Sequence, residues 1–61
     1  MKRVLTTDEV AEILRLHPTT VRRRAESGDI PALRIGRVWR FPARWIEKYI
    51  TAIEQADEDT P

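Results

Sequence analysis

The stretch His17-Pro18-Thr19-Thr20-Val21-Arg22-Arg23-Arg24-Ala25-Glu26-Ser27-Gly28 limits what this chain can fold into more than any other segment. Pro18 stands where a first helical residue tolerates a missing N–H, and Gly28 where a helix can close in the left-handed conformation, so a helix with a defined start and stop is predicted. At about 100° per residue, Val21 and Ala25 share one side with Gly28 near them, while Thr19, Arg22, Arg23 and Glu26 project from the other. Only a narrow stripe can be buried. A short helix with so little apolar surface does not persist on propensity alone, so neighbouring elements must hold it. Three consecutive arginines on a helix that needs outside support point to contact beyond the chain. The ordinary alternative for such a run is a solvated charged face, and the flanking segments decide between the two. We read the segment as a recognition helix.

Sixty-one residues make one small domain, which buries only about 60% of the surface its unfolded chain exposes. That leaves room for one core and no separate catalytic cleft, so an enzyme is not expected. No cysteine is present, which excludes a disulfide framework and a thiolate zinc site and suits a reducing compartment. Neither an apolar run of spanning length nor a secretory signal is visible, so a soluble cytoplasmic protein with no membrane partner is expected.

The formal net charge of +1 conceals an asymmetry. Residues 1–50 hold all 11 Lys and Arg and six of the 10 acids, a balance of +5, whereas residues 51–61 carry Glu54, Asp57, Glu58 and Asp59. Positive density is concentrated in residues 15–44, where eight arginines face only Glu26 and Asp29. This is the electrostatic footprint of a protein that meets a polyanion, nucleic acid first. Nine arginines against two lysines favour planar, bidentate recognition of phosphates and guanines.

Along the chain, Val4 and Leu5 suit a short strand or a hydrophobic staple with Val10, and Thr6 with Glu9 fits a capping box. A first helix is therefore predicted from Thr7 to about Arg15, burying Val10, Ala11, Ile13 and Leu14. Leu16 and His17 form a tight link before Pro18, which makes the two helices a helix-turn-helix. After a turn at Asp29-Ile30-Pro31 the period changes. Residues 32–41 alternate in two short runs around Gly36 and Arg37, a hairpin with Leu33, Ile35, Val38, Trp39 and Phe41 competing for its inner face and Arg34, Arg37 and Arg40 outward. Pro42 closes the second strand. Ile46, Tyr49, Ile50 and Ile53 then form one helical stripe from residue 43 to about 54, with Trp45 beside it. Residues 1–53 thus read as the domain, and 54–61 as an acidic tail expected to lack order.

Leu5-Thr6-Thr7-Asp8-Glu9-Val10-Ala11-Glu12-Ile13-Leu14, Thr20-Val21-Arg22-Arg23, Ser27-Gly28-Asp29-Ile30-Pro31-Ala32, Arg34-Ile35-Gly36-Arg37 and Trp39-Arg40-Phe41 together resemble the excisionase family of small DNA-binding domains. That family is a branch of the MerR-like winged-helix group, and the resemblance covers roughly residues 4–50. It implies a mainly α single domain with a small β-hairpin, a winged helix-turn-helix whose second helix enters the major groove while the wing reaches the backbone or minor groove. Recombination directionality factors of phages and integrative elements, and small transcription regulators, share this architecture. It further implies a bacterial or phage-encoded, nucleoid-associated protein. Two positions depart from the family pattern: Arg15 stands where such turns usually carry glycine, and His17 where a serine-like cap is usual.

The candidate major-groove residues are Thr19, Thr20, Arg22, Arg23 and Arg24. An arginine fork can grip guanine O6 and N7, and the threonines at the helix start suit phosphate or thymine-methyl contact, with first-turn amides adding to the pull on an anion. Arg24 lies nearer the packed side, so its stem could cover apolar surface while its head reaches a phosphate or Glu26. In the wing, Arg37 suits a narrow minor groove, and Arg34 and Arg40 suit phosphates. Trp39, Phe41, Trp45 and Tyr49 read as core rather than as stacking platforms for unpaired bases. His17, with no second histidine and no cysteine to join it, does not read as a metal ligand, and no cofactor or small-molecule substrate is expected.

The expected function is sequence-specific binding and bending of double-stranded attachment-site DNA by an excisionase-like accessory factor that directs an integrase toward DNA excision, with cooperative self-association on DNA; bending, the integrase and the role in DNA recombination come from the resemblance. A small transcription regulator with the same head is the alternative within DNA binding. A basic module that grips an acidic protein, or the tail of another copy, is the alternative from a different class.

Overall fold

Helix α1 (Thr7–Leu14) begins at a reciprocal cap. The Thr6 hydroxyl accepts the Glu9 amide at 3.2 Å and the Glu9 carboxylate accepts the Thr6 amide at 2.9 Å, which satisfies two donors that the first turn would leave open. Val10 and Ala11 are buried, and Leu14 is half-buried, but Ile13 is 50% exposed. It sits more than 90° around the helix from the centre of the Val10–Ala11–Leu14 arc, so its place in the predicted buried face is not kept.

Helix α2 (Pro18–Ser27) follows after a turn of three residues. Arg15 takes the left-handed conformation (φ 57°, ψ 45°), donates its amide to the Glu12 carbonyl, and lets Leu16 donate to the Ala11 carbonyl at 2.9 Å. The same pair of bonds closes α2, where Gly28 (φ 88°) donates to Ala25 and Asp29 to Arg24 at 2.8 Å. Both helices therefore end in a Schellman motif, one on glycine and one on arginine.

Strands β1 (Val4–Leu5), β2 (Leu33–Ile35) and β3 (Val38–Pro42) form an antiparallel sheet in the order β1-β3-β2. The lead-in segment thus pairs as a strand, and Leu5 packs against the core. Pro42 is tolerated in the central strand because it lies at the end, beyond the reach of β2 and opposite Val4. Helix α3 (Ala43–Asp59) leaves the sheet directly. It continues past residue 54, where the sequence predicts an acidic tail, through Asp59. The structure describes residues 3–59, in a computed structural model, with side chains described as far as Gln55; Thr60 and Pro61 of the expected tail lie outside the described residues.

One core joins Val10, Ala11, Val21, Ala25, Ile30, Phe41 and Ile46. Ile30, which the sequence reads as part of a turn, is 1% exposed, because the Schellman closure of α2 throws it back under the helices. Phe41 is fully buried, Trp39 and Tyr49 are half-buried, and Trp45 is 38% exposed, so the aromatics do not all serve the core. The hairpin departs from expectation in its faces. Its two-residue loop pairs Ile35 with Val38 and Arg34 with Trp39, which puts residues of opposite parity on one face. Leu33, Ile35, Val38 and Arg40 therefore share the outer face, and Arg34 shares the core-side face with Trp39 and Phe41. A two-residue loop cannot bring Leu33, Ile35, Trp39 and Phe41 to one side. Among the described residues, no helix is long and apolar enough to cross a membrane.

Candidate nucleic-acid interface

The arginine-bearing helix is held by a stripe of two buried residues. Val21 and Ala25 enter the core, and Arg22, Arg23, Arg24, Glu26 and Ser27 are all exposed. Among the described residues, none of these three guanidinium groups forms an ion pair or hydrogen bond, and Arg24 does not reach Glu26. Uncompensated positive charge on a braced helix is available to an outside anion, and its long-range field is set by charges that no carboxylate neutralises at contact distance.

The start of α2 is closed by His17, whose Nδ1 accepts the Thr19 amide at 3.2 Å. The Thr20 and Val21 amides donate to the His17 carbonyl at 2.9 and 3.1 Å. Since Pro18 has no amide hydrogen, the first-turn donors that sequence reasoning offered to an anion are already taken. Thr19 remains exposed, while Thr20 is half-buried. Phosphate contact by Thr19 and Thr20 would therefore come from hydroxyls and not from the helix terminus.

The wing arginines divide. Gly36 has φ 65° and Arg37 has no positive φ, the pattern of a hairpin loop with glycine at its first position, and Arg37 stands exposed at the tip. The Arg34 Nε donates to the Gly36 carbonyl at 3.4 Å and its guanidinium lies 5.5 Å from the Trp39 ring centroid, so it braces the hairpin from its core side. The Arg40 Nη1 donates to the Trp39 carbonyl at 2.9 Å, and Arg40 is half-buried on the outer face rather than fully outward.

Between α2 and the wing runs an open cleft of about 280 Å³ lined by Thr7, Asp8, Pro18, Arg22, Arg37, Val38 and Trp39. It brings Arg22 of the helix and Arg37 of the wing to one opening, the juxtaposition a winged helix needs, and its volume is several times the ~30 Å³ of a water molecule. A family model described as a helix-turn-helix domain matches residues 4–53, which takes in both helices, the wing and the first half of α3. The chain belongs to the helix-turn-helix domain family.

Two relatives in Mycobacterium tuberculosis, one in strain CDC 1551 / Oshkosh and one in strain ATCC 25618 / H37Rv, are named as candidate DNA-binding proteins. Each is 42% identical to this helix-turn-helix domain over 41 residues, 67% of the chain and 53% of the relative. The chain thus spans about half the length of the curated relatives it matches. No solved structure matches it significantly.

Thr7, Asp8, Pro18, Val38 and Trp39 were not among the residues the sequence offered for DNA contact, yet they line the cleft of the helix-turn-helix domain. The available signal was the tight three-residue turn, which sets the first turn of α1 beside that of α2. Asp8 is the acid that turn carries into an otherwise basic opening.

Proposed function

We propose that the chain binds double-stranded DNA sequence-specifically, with α2 in the major groove and the wing tip on the flanking backbone or minor groove. The observation that carries this reading is the uncompensated Arg22-Arg23-Arg24 face of α2, with Arg37 across a shared cleft. Arg22 and Arg23 are the base-reading candidates, Arg24, Arg37 and Thr19 the contacts to backbone or flank, and Arg34 and Arg40 secure the wing. The names of the mycobacterial relatives agree with a nucleic-acid partner. Within this reading, the resemblance to MerR-like excisionases supports an accessory factor that bends attachment-site DNA and directs an integrase toward excision.

Fluorescence anisotropy with duplex DNA tests it. Affinity should fall linearly on a log–log plot against salt, by a slope of about −0.9 per phosphate neutralised. Arg23→Ala should weaken the cognate site by more than ~1 kcal/mol while nonspecific binding drops less. Equal losses on both would reduce Arg23 to a phosphate contact, and absence of duplex binding in dilute buffer would remove the reading altogether.

A further inference from the structure

The outer face of the wing is apolar at its tip, where a solvated hairpin would carry polar groups. Ile35 and Val38 pair across the strands directly beside the Gly36-Arg37 loop, and Leu33 pairs with Arg40 two residues back. Ile35 is 63% exposed, the most of any large hydrophobic residue among the described ones, and Leu33 and Val38 are each 44% exposed. None of the three packs against the core cluster. Two β-branched side chains side by side suit strand pairing, yet three adjacent apolar groups in water make a patch of the kind that meets a partner.

Charge identifies that partner. Residues 30–46 contain Arg34, Arg37, Arg40 and Arg44 and no carboxylate, so the wing is positive throughout and its complement is a polyanion with apolar faces of its own. Val38 also lines the cleft shared by Arg22 of α2 and Arg37 of the tip, so a duplex seated on α2 reaches the patch directly. We propose that Ile35, backed by Val38, is a wedge that enters the minor groove beside Arg37 and partly unstacks one base step. This inference rests on the DNA-binding reading above and gives bending a seat in the fold. Apolar side chains inserted from the minor groove open a step and kink the duplex toward the major groove, and a guanidinium beside them is drawn to the negative potential there. Because β-branched side chains are stiff, the wedge is preformed and loses little freedom on insertion. Pyrimidine–purine steps unstack most easily and are the expected targets.

The test uses the full chain and a duplex enriched from a random-sequence pool by binding to it, with the fluorescent base aminopurine replacing adenine one position at a time. Anisotropy reports binding, and aminopurine fluorescence reports unstacking in the same sample. Fluorescence should rise about twofold or more at one pyrimidine–purine step flanking the α2 contact and stay flat elsewhere. Ile35→Thr, which keeps the branched stem and the strand geometry, should remove most of the rise and leave the salt slope unchanged, because no phosphate contact is lost. Ile35→Leu should retain the rise, and both variants should melt with the unaltered chain because the side chain is exposed. A flat signal at every step of a bound duplex, an Ile35→Thr complex as bright as the unaltered one, or a DNA-free dimer that Ile35→Thr dissolves in sedimentation would overturn the wedge. Unchanged anisotropy would overturn the DNA-binding reading itself, and the wedge with it.

Discussion

At the scale of single residues, Arg15 and His17 form a left-handed turn and a helix cap with less suitable chemistry than glycine and serine would supply. Arg15 accepts φ 57° in a place where glycine would sit without strain, and the left-handed region costs an L-residue about 1–2 kcal/mol. Arg15→Gly should therefore stabilise the domain by up to ~1 kcal/mol after the greater flexibility of unfolded glycine is subtracted, a rise in thermal midpoint of about 4–8 °C. A lowered midpoint would show that the arginine stem contributes more than its backbone strain removes. Asp8 lines the cleft with Arg22 and Arg37, where its carboxylate opposes an approaching phosphate. Asp8→Asn should tighten duplex binding a few-fold in dilute buffer while removing a first-turn charge worth about 0.3–1 kcal/mol to α1. Unchanged affinity in a salt series would place Asp8 away from the bound strand.

At the scale of elements, the sequence made the starts of both helices and the stop of α2 legible because caps are local: Thr6, Glu9, Pro18 and Gly28 act within one turn of where they stand. The hairpin loop was legible for the same reason, since Gly36 alone supplies its positive φ. Its faces were not. Register depends on the number of loop residues, and a two-residue loop moved Arg34 to the core-side face and left Leu33, Ile35 and Val38 exposed. The wing arginines consequently have different tasks. Arg34→Ala should lose a cation–π contact of about 0.5–1 kcal/mol and lower stability with little change in DNA preference. Arg37→Ala should leave stability alone and abolish discrimination among A·T-rich and other flanks. Binding titrations over flank variants, paired with thermal melts, separate the two, and indifference of the Arg37 variant to flank sequence relative to wild type would have to be seen for the minor-groove role to stand.

At the scale of the whole molecule, the basic balance of residues 1–50 was readable from composition, but the placement of its parts was not. Ile30 entered the core through a turn closure, and Arg22 met Arg37 through a tertiary cleft that no local pattern encodes. The acidic end of the chain read as a tail because like charges repel and few large apolar residues stabilise it, yet the helix carries on to Asp59. What unites these features is a domain that braces one feebly apolar helix with two other helices and a sheet so that its guanidinium groups stay outward. The most direct test is a titration of the isotopically labelled chain with duplex DNA, followed by amide chemical-shift changes. Shifts should concentrate at Thr19, Arg22, Arg23 and Arg37, with Thr51 to Gln55 nearly silent. Changes centred on α3, or spread evenly with none on α2, would contradict the account.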